Sequence, residues 1–287
     1  YIYKKKMKIG FTLGLSKGGP SIFMDRLKKS LKKISFTKIS YFFDPSIDIS
    51  IFANRVRNPW KKPYIMRVDG MHHSSHMSIK EKRQKNNPII KGINESNGII
   101  YQSKYSEFLI NKFFDVNESI PSTIINNGIN VTEYNKKGKN LRKKLGINKE
   151  DLVFISSASW RPQKRLDSII KLFLKFKKKY KKKTYLIIIG NVNTNKYDNL
   201  SKNVIFTGKL NNIDLPNWYR TGDIFIFLGL IDNCPNAVIE ALASNLPVLC
   251  TNLGGTKELI ELTKGGIVSI ADRTFDLKKI NLNNPPL

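Results

Sequence analysis

Acidic residues are scarce in this chain. Only 22 Asp and Glu face 50 Lys and Arg across 287 residues, a formal net charge of +28. The surplus rules out an acidic, self-solvating composition and makes the surface attractive to nucleic acid, anionic lipid headgroups and phosphorylated ligands alike. Cysteine is almost missing as well. Cys234 and Cys250 have neither disulfide-framework nor metal-ligand spacing, which fits a reducing interior and predicts a cytoplasmic protein. No run of about 18 apolar residues exists, so no segment reads as a membrane span. The opening YIYKKKMKIGFTLGL sets charge ahead of an apolar segment, as a secretory signal does. It runs into SKGGP without a small-residue cleavage site and therefore reads as a first strand, with Met7 a candidate initiator.

Apolar residues are not in short supply: 40% hydrophobic and 10% aromatic suffice for ordinary cores, and the length is comfortable for two domains. The lysines are spread along the whole chain among abundant Ile and Asn, the mark of a biased composition more than of a single built patch. The densest run, KFKKKYKKKT (Lys175–Thr184), reads first as a solvated helix end whose lysines suit the negative pole of the helix dipole. Docking on an anionic membrane is its functional alternative, which would place the protein peripherally on the inner leaflet.

Short apolar runs alternate with longer amphipathic stretches. KIGFTLGL, KISYFF, DISIFA, PYIMRV and GIIYQS in the first half, and LVFISSA, TYLIIIG, NVIFTG, IFIFLG and PVLCT in the second, read as buried strands. Continuous apolar strands separated by helices predict parallel sheets covered on both faces, hence an α/β protein of two Rossmann-like domains. The polar, glycine-punctuated residues 135–150 are the expected linker, between a domain over 1–134 and one over 151–287. Ligands of such sheets gather at the carboxyl ends of the strands, and the expected site is the cleft between the domains.

In this basic chain, DNCPNAVIEALASNLPVL places Asp232 and Glu240 around a helix start at Pro235. On a helical wheel Val238, Ala241 and Leu242 share one side, while Asn236, Glu240 and Ser244 share the other, so Glu240 is expected away from the packing surface. Amides at the helix start for phosphate, and carboxylates for hydroxyls, describe a nucleotide-sugar pocket. A capping Asp232 and a surface Glu240 are the plain alternative.

The stretch from Asp232 to Ile260 resembles the donor-binding signature of the retaining GT-B glycosyltransferases, glycosyl transferases group 1 (family four). Seven residues separate its two acids, as in the family, although the family usually has Glu where Asp232 stands. The resemblance implies that Asp232 contacts hydroxyls of the donor sugar and Glu240 the ribose. Cys234, Pro235 and Asn236 would let backbone amides approach the sugar and phosphates. SSASWRPQKRLDSII, beginning at Ser156, resembles the family's Arg and Lys pair after the first strand of the second domain. Arg161 is then one cation on the leaving diphosphate and Lys164, ahead of Arg165, the other.

Weaker segments follow the same resemblance. GLSKGGPSIFMDRL carries Gly18 and Gly19 where the family has a first-domain glycine loop that approaches the donor. STIINNGINVTEY resembles a closing Pro-Asn-Gly segment, with Asn126 in the proline position and Asn127-Gly128 as a turn. NLGGTKELI closes a strand with glycines, and Glu258 there reads as structural. IMRVDGMHHSSHM holds all three histidines. His72 and His76 have a zinc-compatible separation but no nearby third ligand, and the family is metal-independent, so no metal or cofactor is expected. Many relatives carry histidine where Asp69 stands, making Asp69 the candidate facing the reacting sugar and His72 the fallback.

Together these imply a retaining hexosyltransferase using a UDP-, GDP- or ADP-linked sugar and a glycan or lipid-linked acceptor, as in polysaccharide biosynthesis. The chain ends at KKINLNNPPL, where the family continues into helices that cross back onto the first domain; it is either a minimal version or one lacking those helices. The alternatives are a degenerate nucleotide-binding homologue without turnover and a basic nucleic-acid-binding protein. No nucleic-acid recognition motif accompanies the charge.

Overall fold

The computed structural model describes residues 6–11, 19–34, 37–41, 43–72, 77–135, 137–197, 200 and 202–270. Contacts divide the chain into one unit ending at Gly128 and a second beginning at Ile129. Residues 135–150, read from sequence as linker, fall in the second unit. Arg142 anchors them there, donating to Asp223 at 2.6 Å and to the Thr221 and Asp151 carbonyls at 3.1 and 3.0 Å.

The first unit is a six-stranded sheet in the order β2-β1-β3-β4-β5-β6, with every pairing parallel. Its strands are β1 (Met7–Phe11), β2 (Thr37–Tyr41), β3 (Ile49–Ala53), β4 (Tyr64–Val68), β5 (Gly98–Tyr101) and β6 (Ser122–Ile124). Its helices are α1 (Gly19–Leu31), α2 (Ile79–Asn94) and α3 (Lys104–Phe113). Local chemistry sets the helix starts. Ser78 accepts from the Glu81 amide while Glu81 reaches back to the Ser78 amide at 2.8 Å, a reciprocal cap for α2. Ser103 caps α3 through the Ser106 amide at 2.9 Å.

The second unit opens with α4 (Val131–Tyr134) and forms a six-stranded sheet of different order, β12-β11-β10-β7-β8-β9, again all parallel. The strands are β7 (Leu152–Ser157), β8 (Thr184–Ile189), β9 (Val204–Phe206), β10 (Ile224–Phe227), β11 (Val248–Thr251) and β12 (Gly266–Ser269). The helices are α5 (Leu166–Lys179), α6 (Leu215–Tyr219), α7 (Asn236–Ala243) and α8 (Thr256–Thr263). Alternation along the strands accounts for their unbroken apolar runs. Val153, Ile155, Tyr185, Ile187, Phe225 and Phe227 enter one core, while Phe154, Leu186, Ile188 and Ile226 enter the core on the opposite face. Each such burial stabilises the fold by about 1.5–3 kcal/mol relative to exposure.

Chain order fixes where a ligand site can form. From β7 the chain steps outward to β8 and β9, then returns to β10 on the other flank of β7. The loops after β7 and β10 therefore lie side by side at the carboxyl ends of neighbouring strands, at the switch point of the strand order where ligands of such sheets gather. Both loops carry residues singled out from sequence.

Candidate donor site of the second unit

The loop after β7 runs through Trp160 and Arg161 into a single 3-10 turn over Pro162–Lys164. Arg165 then takes a left-handed conformation (φ 56°) and starts α5. Trp160 donates to the Ile189 carbonyl at 2.9 Å, fastening this loop to the end of β8. Gly190 makes the approach possible: a Cβ there would stand 2.2 Å from the Ala158 carbonyl oxygen. Arg161 is exposed, whereas the Lys164 side chain is only 11% exposed.

The loop after β10 brings Asp232 to that lysine. Lys164 Nζ donates to Asp232 Oδ1 in a short ion pair and lies 5.3 Å from the Phe227 ring centroid. The backbones dock as well, with the Leu230 amide donating to the Gln163 carbonyl at 3.1 Å. Glycines clear the space around Asp232. A side chain at Gly229 would meet Asp232 Oδ2 at 2.4 Å, and one at Gly254 (φ 70°) would meet the Asp232 carbonyl oxygen at 2.8 Å. The neighbouring Gly255 amide donates to that same carbonyl at 2.7 Å, so the loop before α8 clasps the acidic loop. The glycines of NLGGTKELI thus serve a local purpose, letting two backbones touch beside Asp232.

Cys234 and Pro235 are buried, and Asn236 is half-buried at the start of α7. Pro235 precedes the helix and its carbonyl accepts the first bonds, from Val238 at 3.1 Å and Ile239 at 3.3 Å. The sequence places Glu240 away from the packing surface, and the structure corrects this. Glu240 is 7% exposed and Ser244 1%. The reason is that α7 is covered on two sides: Val238 and Ala241 face the sheet core, while Glu240 faces α6, where the Tyr219 hydroxyl donates to its carboxylate at 3.2 Å. Tyr219 is itself fully buried. Burial, and next the Glu240 charge, hold its hydroxyl well above the ordinary phenol range, with Ser157 a further hydrogen-bonding partner. Sequence reasoning missed both Tyr219 and Ser157. A tyrosine in the five-residue helix LPNWY carries no motif, and only the fold brings it to Glu240.

Lys164 and Asp232 thus meet at the carboxyl ends of the neighbouring strands β7 and β10, a few residues before α7 begins, and Glu240 lies one turn into that helix. A cation, a carboxylate and helix-start amides can together hold a phosphate group and a polyol.

The remaining candidates lie in the first unit. Gly19 begins α1, whereas Gly18 and His76 lie outside the described residues. Asp69 follows β4, and its carboxylate, 7% exposed, is ion-paired to Arg67. Arg67, the fourth residue of the strand YIMRV, is 1% exposed, stacked over the Phe23 ring at 3.5 Å and donating to Asn127. Asn127 in turn donates to Gln102 at 3.5 Å; the expected Asn127-Gly128 turn does not form, and Asn127 instead joins a buried polar cluster while Gly128 is exposed. His72 is clamped through its backbone by Asn86, with both hydrogen bonds at 2.8 Å. Burial, then the charges of Lys85 and Arg55, lower the pKa of its ring.

Residues 138–277 match the family model of glycosyl transferases group 1. An alpha-monoglucosyldiacylglycerol synthase of Acholeplasma laidlawii is 26% identical over 157 residues, 50% of this chain and 39% of its own length. A UDP-Gal:alpha-D-GlcNAc-diphosphoundecaprenol alpha-1,3-galactosyltransferase of Escherichia coli is 28% identical over 156 residues, 48% of this chain and 38% of its own. The chain therefore spans about two-fifths of the length of these curated relatives. Among solved structures, HepE of Anabaena, crystallised with UDP and glucose, matches with a TM-score of 0.68 at 16% identity, over 96% of this chain and 89% of that one. WaaG, a glycosyltransferase involved in lipopolysaccharide biosynthesis, matches with a TM-score of 0.70 at 13% identity, over 96% and 88%. Residues 138–277, the greater part of the second unit, are thus similar to glycosyl transferases group 1, and the chain's two parallel sheets are those of the GT-B fold.

Proposed function

We propose that the protein is a glycosyltransferase that moves a hexosyl group from a nucleotide-sugar to a glycan or lipid-linked acceptor, with retention at the anomeric carbon. The observation that carries this reading is the meeting of Lys164 and Asp232 at the switch point of the second unit, beside the start of α7. UDP is the first nucleotide to try, because HepE was crystallised with it; GDP and ADP remain in the panel.

Each residue has a distinct part in this reading. Asp232 holds Lys164 extended, so the ammonium stands ready when a diphosphate arrives, and the carboxylate accepts hydrogen bonds from sugar hydroxyls. Lys164, the exposed Arg161 and the α7 amides stabilise charge on the leaving diphosphate. Glu240, fixed by Tyr219, receives the ribose hydroxyls, and Cys234, Pro235 and Asn236 shape the backbone that approaches the phosphates. The bond from the anomeric carbon to the diphosphate breaks and the new glycosidic bond forms on the same face. The departing phosphate oxygen takes the acceptor's proton, so no carboxylate nucleophile is required. Asp69 enters as the partner of Arg67, not as a proton acceptor.

The test is release of nucleoside diphosphate from UDP-, GDP- and ADP-sugars, with NMR of the product's anomeric proton reporting stereochemistry. One donor should be consumed, and Lys164→Ala should slow release by about 10²–10³-fold, the usual cost of removing a charge-stabilising donor. Equal rates for Lys164→Ala and the unmodified protein would contradict the assignment. Nucleotide binding with no turnover of any donor would instead mark a homologue that only binds.

A further inference from the structure

Away from the donor site, α5 presents a face that the reaction does not use. The helix sinks Ile169, Ile170 and Phe173 into the core. Leu172 and Phe176, one turn apart at the edge of that core, and Tyr180, the residue just past the helix, remain 39%, 36% and 38% exposed. The stripe is held in shape. Phe176 and Tyr180 stack at 4.9 Å, and Phe176 meets Phe154 edge-on at 5.2 Å. Exposed lysines flank it: Lys171, Lys175, Lys178 and Lys179 on the helix, and Lys181, Lys182 and Lys183 just beyond. No acidic residue occurs between Ser168 and Lys183. Asp167, at the helix start, is engaged by Lys196 and Tyr197, each at 2.6 Å.

Favourable interaction with the helix dipole accounts for lysines in the last turn, but not for Lys171 and Lys175, nor for three large apolar side chains left half in water. A solvated helix end would carry the charges without the stripe. A stripe along a helix axis, bordered by cations with no acid among them, suits a plane that is apolar beneath and anionic at its surface.

We propose that this face of α5 docks the protein on an anionic lipid bilayer. Leu172, Phe176 and Tyr180 enter the headgroup boundary, and the flanking lysines lie over lipid phosphates. The helix lies parallel to the surface and does not span it, in keeping with the absence, among the described residues, of any helix long and apolar enough to cross a membrane. The assignment stands apart from the donor site, because none of these residues touches Lys164, Asp232 or Glu240 in that reading.

Co-sedimentation with vesicles tests it, comparing pure phosphatidylcholine with vesicles roughly one-third phosphatidylglycerol, at an ionic strength of about 0.1 M. A single-stranded oligonucleotide serves as a soluble polyanion, and melting temperatures confirm that each variant is folded. The protein should bind the anionic vesicles and not the neutral ones. Replacing Lys171, Lys175, Lys178 and Lys179 together by Gln should lower vesicle binding at least tenfold. Leu172→Gln should lower vesicle binding several-fold and leave oligonucleotide binding unchanged, since only a bilayer receives the apolar stripe. Equal binding to both vesicle types, or vesicle binding indifferent to the α5 variants, would overturn the proposal. So would a Leu172→Gln variant that binds vesicles normally while the lysine variant loses vesicles and oligonucleotide alike, which would make α5 a simple polycation.

Discussion

Arg67→Met removes the buried guanidinium of the first unit while keeping an unbranched side chain of similar reach. In the folded protein the guanidinium is 1% exposed, pairs with an Asp69 carboxylate that is 7% exposed, donates to Asn127 and covers the Phe23 ring. Removing one member of such a pair typically costs about 3–5 kcal/mol, because the other charge stays buried. The cation–ring contact adds up to about 2 kcal/mol when desolvated. A thioether over Phe23 recovers about 0.3–1.5 kcal/mol of that. The net expectation is a loss of roughly 3–5 kcal/mol, a large share of the 5–15 kcal/mol that usually holds a domain together. Neutralising the partner should undo most of it. Arg67→Met with Asp69→Asn leaves no buried charge and should recover to within about 2 kcal/mol of the original protein. Peptide-resolved hydrogen exchange over β4 and β5 is the suitable assay, since it reads the first unit separately and requires no single unfolding transition. A loss below about 1 kcal/mol in the single variant, or a double variant no better than the single, would refute the view that Asp69 serves as the counter-charge of Arg67.

Two further outcomes follow from local geometry. Gly254→Ala forces a Cβ to within 2.8 Å of the Asp232 carbonyl oxygen from a φ of 70°, so it should cost about 1–3 kcal/mol and shift the Asp232 loop. Chemical denaturation should register the first effect and weakened donor binding the second; unchanged binding would show that the clasp does not position Asp232. The Cys250 thiol is fully buried, and burial followed by the Glu261 charge pushes its pKa up to about 11. A thiol reagent at pH 8 should therefore leave Cys250 unmodified in the native protein and react with it on unfolding. The raised pKa means that folding favours the neutral thiol, a contribution present below the unfolded pKa and lost as pH rises towards about 11. Rapid native labelling of Cys250 at pH 8 would contradict its placement in the core.

Of the twelve strands among the described residues, ten are legible as apolar runs because both faces of each sheet are covered, so alternation is hidden and continuity remains. The two that are not, β6 and β12, are edge strands. Ser122 and Thr123 in β6 are exposed, and so are Ile267 and Ser269 in β12, leaving too little apolar pattern to mark them. The pairing of Lys164 with Asp232 is accessible from sequence only through the resemblance, because 68 positions separate the two residues. The helix that carries Glu240 shows, by itself, an apolar side and a polar side. The polar side is buried because α6 packs against it, a tertiary fact absent from the helical wheel. Arg67 sits in a strand that reads as core, and its partners come from the loop after β6, from α1 and from the residues just past its own strand. Its role rests entirely on the way the sheet gathers them.

The most direct measurement of the central claim is thermal stability with UDP, GDP and ADP, each at about a millimolar, for the original protein, Asp232→Ala and Glu240→Gln. A nucleotide at a hundred times its dissociation constant adds roughly 2.7 kcal/mol of native stability. For a chain of this size that corresponds to a rise of several degrees. One nucleotide should stand out, its effect should survive moderate salt, and both variants, folded in its absence, should lose most of the rise. Equal, salt-erased shifts from all three nucleotides, or a full shift in both variants, would mean that the acidic pair does not form the donor site.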